Sequence, residues 1–163
     1  MGAIYDRLEV TIAKLFFAAT VLFVLIGAVT RAVGHPAIWS IDLGQATFVW
    51  ASVLGADIAL RRNAHIEIDM IVRRLPWTWR RALAVAWLIL IALFLATLVH
   101  YGTQLTLLNV ERPMGDAGLS YAWVTAALPV GAALMLATTL TRLWRGLTGR
   151  ERLTLEGRDG TVL

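Results

Sequence analysis

Charged residues vanish from this chain over long intervals. No Asp, Glu, Lys or Arg occurs between Leu15 and Thr30, between Ala82 and Val110, or between Ala117 and Thr141, and the interval from Leu43 to Leu60 holds only Asp57. A helix needs about 20 apolar residues to cross a hydrocarbon core about 30 Å thick, so each interval suits one membrane crossing. The polar breaks predict helices over about Glu9 to Ala32, Gly44 to Leu60, Ala82 to Leu108 and Leu119 to Trp144. Gly34-His35-Pro36 stops the first helix, because Gly and Pro together break the helical hydrogen-bond run. Residues Ile38 to Gln45 read as a short external loop with Trp39 at the interface, and Asn109 to Gly118, which holds Pro113, Gly115 and Gly118, reads as an external turn. The third helix exceeds what a bilayer requires, so it must tilt or project. The expected fold is an all-α integral membrane protein of four transmembrane helices in a single domain over residues 1–163, with a mobile polar tail over 146–163.

Between the second and third spans the pattern changes. Ile68, Ile71, Val72 and Leu75 repeat at i, i+3, i+4, i+7, and His65, Asp69 and Arg73 repeat at i, i+4, i+8 on another face. Two such stripes predict a short amphipathic helix over about residues 64–75, lying along the membrane surface with its apolar side toward lipid or protein. Asp69 and Arg73 can pair at that spacing, and Pro76 ends the pattern.

Charge sets the orientation. Of 15 Lys and Arg residues, only Arg31 and Arg112 fall in the two loops on one side, and the other 13 lie on the side of the two termini. Basic residues in short loops stay cytoplasmic, so both termini are expected inside. This placement accounts for the sequence pI near 10.3 better than nucleic-acid binding does. The first span could pass for a secretory signal, but Asp6 and Glu9 precede it and Arg31 closes it without a small-x-small cleavage site. It is expected to be retained, with Lys14 snorkelling to the interface. The absence of Cys excludes disulfides, zinc–thiolate sites and iron–sulfur clusters.

The chain offers little reactive chemistry. Ionisable residues within a membrane invite a functional reading, yet Asp57 lies one turn before Arg61 and reads best as an ion pair with it. His100 is the only His inside a span, whereas His35 and His65 lie on opposite sides of the membrane. A membrane cytochrome would need two inward His residues at similar depth. No catalytic, cofactor-binding or metal-ligating residues are expected, and the chain does not read as an enzyme. Six Trp residues suit interfacial anchoring, Trp39 and Trp123 on one side and Trp77, Trp79, Trp87 and Trp144 on the other. Trp50 falls near mid-span, where an indole needs a packing partner or an acceptor for its N–H. Ala51, Gly55 and Ala59 repeat at i, i+4 and would let another helix approach closely. Pro129 and Gly131 sit inside the fourth helix, where Pro removes a backbone hydrogen bond and kinks the chain. These faces suit either packing within the chain or docking onto a larger membrane partner.

The run Phe48-Val-Trp50-Ala-Ser-Val-Leu-Gly55-Ala, then Arg61-Arg62-Asn-Ala-His65-Ile-Glu-Ile-Asp69 and Leu75-Pro76, resembles the small permease subunit of tripartite ATP-independent periplasmic (TRAP) transporters, the DctQ-like family. Leu128-Pro129-Val130-Gly131 followed by Leu134-Met135 is similar to the family's fourth-helix pattern, while Asp57 replaces a more usual small residue and Ile68 a Val. The resemblance implies a non-catalytic scaffold in the bacterial inner membrane. It would support a large, elevator-type DctM-like subunit in sodium-coupled uptake of an organic acid delivered by a periplasmic binding protein. It also implies that Arg61, Arg62, His65 and Asp69 form a charged cluster at the inner face, fixing the surface helix against lipid headgroups or the large subunit. Two rival readings are a stand-alone four-helix exporter, which would need a midplane carboxylate, and a membrane-anchor or cytochrome subunit of a respiratory complex.

Overall fold

The computed structural model describes residues 3–61 and 76–148. In chain order the elements are α1 (Ala3–Ala32), α2 (Ile38–Arg61), α3 (Trp77–Leu108), β1 (Pro113–Met114), β2 (Leu119–Ser120), α4 (Ala122–Thr125) and α5 (Ala127–Leu147). Among the described residues four segments are long and apolar enough to cross a membrane: Arg7–Ala32, Ile38–Arg61, Ala82–Leu108 and Ala122–Arg145, the last combining α4 with α5. The all-α, four-span membrane architecture read from the hydrophobic pattern is therefore the observed one. The expected surface helix over residues 64–75 lies outside the described residues, as does the tail beyond Thr148.

Several boundaries differ from the expectation, each for a packing reason. The second helix starts at Ile38, so the stretch expected as an external loop is its first two turns. Those turns are held against α1: Ser40 and Gly44 are buried, and a Cβ on Gly27 of α1 would stand 2.8 Å from Ser40 Oγ. Only residues 33–37 join the two helices. This turn is closed by the Ala37 amide, which donates to Thr30 Oγ1 at 3.1 Å. The third helix begins directly after Pro76. The fourth begins later than expected, since Leu119 and Ser120 pair with Met114 and Pro113 in a minimal antiparallel ladder. It also runs on to Leu147, into the segment expected to be tail.

The four spans do not close into a bundle. α1 packs along α2, α2 along α5, and α5 along α3, whereas α1 and α3 barely touch. The helices form a row, α1–α2–α5–α3, with the fourth span inserted between the second and third. Accordingly, within an apolar 18-residue stretch of each span, 22% and 33% of the residues are buried in the two central spans, against 6% and 11% in the edge spans. Glycine makes the close approaches in this row. A Cβ on Gly131 would overlap the Val53 side chain across the α2–α5 contact, and one on Gly102 would lie 3.2 Å from the Pro129 ring across the α3–α5 contact. Without a hydrophobic force to drive helices together in lipid, backbone proximity at small residues is what gives them van der Waals contact.

Candidate functional site

The most polar part of the described interior lies where the end of α2 meets the start of α1 and the latter part of α5. Asp57, near the end of α2, is buried with only 1% of its side chain exposed. One of its carboxylate oxygens lies 3.1 Å from Arg61 Nη2, as the i, i+4 spacing predicts. The other accepts a hydrogen bond from Thr138 Oγ1 of α5 at 3.2 Å. Arg61 also meets the carboxylate of Glu9 on α1 in an ion pair, with side-chain exposures of 13% and 6%. Arg142 of α5 closes the set by donating from Nη2 to the Arg61 carbonyl oxygen at 2.8 Å.

Three helices thus meet at two carboxylates and two guanidiniums, which balance in formal charge. Helix ends explain the arrangement. The last carbonyls of α2 have no amide partner within the helix, and the C-terminal end of a helix dipole favours cations. Arg61 and Arg142 both sit there, and Arg142 satisfies one such carbonyl outright. Removing one member of a buried ion pair strands its partner at a cost of about 3–5 kcal/mol, so the cluster is a strong joint among α1, α2 and α5. Glu9 and Arg142 were not singled out from the sequence as members. The available signal was one acidic residue at the start of the first span and one basic residue near the end of the fourth. Their convergence depends on the row order of the helices.

The opposite end is tied by its own contacts. Asp42 of α2 accepts a hydrogen bond from the Asp116 amide at 3.1 Å, and its carboxylate packs where a Cβ on Gly115 would stand. Gly115 and Gly118 take φ values of +46° and +68°, which glycine adopts without the Cβ clash. Arg112 lies over the Tyr121 ring at 5.0 Å, and Ser120 Oγ donates to Val110 O at 2.6 Å. The β1–β2 hairpin is therefore fastened to α2 and to the end of α3.

Trp50 finds both partners that a mid-span indole needs. Its ring stacks on Phe16 of α1 with centroids 6.1 Å apart and planes 18° from parallel, and its Nε1 donates to the Trp123 carbonyl at 2.9 Å. That carbonyl lies just before the break between α4 and α5. Pro129 has no N–H to offer Thr125 O, the partner it would have in a continuous helix, and Thr125 Oγ1 folds back toward Tyr121 O and Ala122 O. Pro129 and Gly131 both face neighbours within the chain, α3 and α2 respectively. Gly55 does not. It is exposed, and a Cβ there would meet nothing within 4 Å. Ala51 and Ala59, on the same stripe, are partly exposed. Arg62, His65, Asp69 and Arg73 lie outside the described residues. Among the described residues no group of three or more His, Asp or Glu could hold a metal ion.

Comparison with known proteins matches residues 20–149 to the family described as tripartite ATP-independent periplasmic transporters, DctQ component. The chain is 31% identical over 134 residues to the sialic acid TRAP transporter permease protein SiaT of Haemophilus influenzae, covering 80% of this chain and 21% of that protein. It is 26% identical over 109 residues to the sialic acid TRAP transporter small permease protein SiaQ of Vibrio cholerae, covering 67% and 63% respectively. It is also 26% identical over 137 residues to the isethionate TRAP transporter permease protein DctMQ of Oleidesulfovibrio alaskensis, covering 81% and 20%. The chain thus spans about a fifth of two of these relatives and under two thirds of the third. The matched stretch takes in nearly all of the described row of spans, from mid-α1 through the end of α5. A multi-pass inner-membrane chain with this helix pattern, a transporter component and not an enzyme, belongs to the DctQ component family of TRAP transporters.

Proposed function

We propose that this chain is the fixed scaffold beside a larger DctM-like carrier. It would support sodium-coupled uptake of an organic acid handed over by a periplasmic binding protein, with both of its own termini cytoplasmic. The observation that carries this reading is the row of spans. Four helices side by side enclose no central chamber, and the buried carboxylates among the described residues, Glu9 and Asp57, are met by Arg61 in a joint at one end instead of lining a path. Such a layer offers area and stiffness. Its apolar faces suit lipid on one side and a membrane partner on the other. Two relatives extend the matched stretch to about five times its length in one polypeptide, and both are named as permeases. A separate large chain is the natural counterpart of that extra length here.

Reconstitution tests this directly. Proteoliposomes holding this chain alone should show no uptake, and addition of the large subunit and the binding protein should restore it. Sodium-dependent uptake by this chain alone would overturn the scaffold reading. The inner-face residues His65 and Asp69 belong to the same proposal, through their i, i+4 spacing. His65→Ala and Asp69→Ala should lower complex yield or uptake, since an unpaired partner costs roughly 1–3 kcal/mol, without altering substrate preference or sodium stoichiometry. Altered selectivity with normal complex yield would place these residues at the transport site.

A further inference from the structure

The edge helix α3 carries a polar patch that nothing in the described chain covers. Thr97, His100, Tyr101 and Gln104 are exposed and contiguous on one helix face, at i, i+3, i+4 and i+7. The Thr97 hydroxyl is satisfied by its own helix, donating to Leu93 O at 2.9 Å. The imidazole and the carboxamide are not. His100 Nε2 and Gln104 Nε2 share one hydrogen bond at 3.1 Å. Whichever nitrogen of the neutral ring carries the proton, the pair keeps at least one further donor and one further acceptor. Among the described residues these have no partner.

Depth makes this consequential. Gly102 lies between the two, about 200° round the helix from His100, and it packs on Pro129 of α5. Pro129 is the eighth residue of the span that starts at Ala122, about 10 Å in from its outer end at 1.5 Å per residue. His100 and Gln104 are therefore level with hydrocarbon and face away from their own chain. Lipid tails offer no hydrogen bonds, and polar side chains at such depth face protein or a watery cavity.

We propose that this face of α3 is the seam onto which a transmembrane helix of the large permease subunit docks, presenting an amide, hydroxyl or carboxylate to the His100–Gln104 pair. The inference rests on the scaffold reading above and adds to it which edge of the row meets the carrier. Three observations point to that occupant. The patch lies on an edge helix with one neighbour, so a second helix fits beside it without disturbing the row. Its spare donor and acceptor complement a polar membrane helix and not a lipid chain. Two of the matched relatives hold much additional permease sequence in the same polypeptide, hence in the same membrane.

The test uses the full chain co-expressed with its large subunit. The variant H100L/Q104L replaces the pair with lipid-compatible side chains of the exposed face. Its thermal midpoint, measured on the isolated chain in detergent, should match the wild type, while co-purification of the large subunit should fall tenfold or more. A photo-crosslinker at Tyr101 should capture the large subunit, and one at Val24, an exposed residue of α1, should not. Wild-type co-purification by H100L/Q104L, with the Tyr101 probe yielding only lipid adducts or a second copy of this chain, would overturn the docking face and leave the scaffold reading standing. Failure of the unmodified chain to bind the large subunit at all would overturn both.

Discussion

At the scale of single residues, the charge joint and the glycine contacts make opposite demands. Arg61 neutralises two carboxylates, Glu9 and Asp57, that come from different helices. Arg61→Met should therefore destabilise the chain by about 3–5 kcal/mol, because two buried acids then lose the guanidinium they share. The triple variant Glu9→Gln, Asp57→Asn, Arg61→Met should recover most of that loss, since neither acid then lacks its guanidinium and Arg142 keeps the backbone carbonyl at position 61. Thermal melting in detergent, followed by Trp fluorescence, checks both. Equal losses in the single and triple variants would show that shape and not charge holds the joint. Gly131 makes the complementary case. Gly131→Ala puts a methyl group into Val53, and overpacking of this kind costs about 1–3 kcal/mol. Val53→Ala should restore part of the loss in the double variant, and strictly additive effects would contradict the contact.

At the scale of elements, the break between α4 and α5 joins two features that look separate along the chain. Pro129 interrupts the helical ladder, while the carbonyl of Trp123, six residues before it, accepts the Trp50 indole. Trp50→Phe keeps an aromatic ring facing Phe16 but removes the hydrogen bond and part of the packed ring, so it should cost at least about 0.5–1.5 kcal/mol. A loss several times larger would mean that the indole supports the break itself. The hairpin is the second element-level device. Asp42 holds its Asp116 amide, so Asp42→Ala should free the β1–β2 loop from α2 and raise hydrogen exchange at residues 113–120, with little change in the spans. Unchanged exchange there would mean that Arg112 and Ser120 suffice.

At the scale of the whole molecule, topology and shape are linked. Cysteines introduced at Ala37 and at the exposed Glu111 should be labelled by impermeant reagents from the periplasm, because 13 of the 15 basic residues then lie inside. Labelling of either from the cytoplasm alone would reverse the orientation. The row of helices also predicts behaviour for the isolated chain. Two broad apolar faces and thinly buried edge spans mean that lipid or a partner must supply what a closed bundle supplies for itself.

The number of spans, their approximate limits and the side on which the charges gather all follow from the sequence. Burial in a bilayer acts on each segment separately, and charge-free intervals of the required length identify themselves without knowledge of their neighbours. The Asp57–Arg61 pair was legible for the same reason, being local to one helix. The first turns of α2 were not, because Ser40, Asp42 and Gly44 look like loop residues until α1 and the hairpin are placed against them. The arrival of Glu9, Thr138 and Arg142 at one joint was hidden too, as was the outward face of Gly55 against the inward face of Gly131. Each depends on which helices are adjacent. In lipid no hydrophobic gradient separates one apolar face from another, so adjacency is settled by close packing and a few interhelical hydrogen bonds. Those contacts join residues as many as 81 positions apart, and only the tertiary structure brings them together.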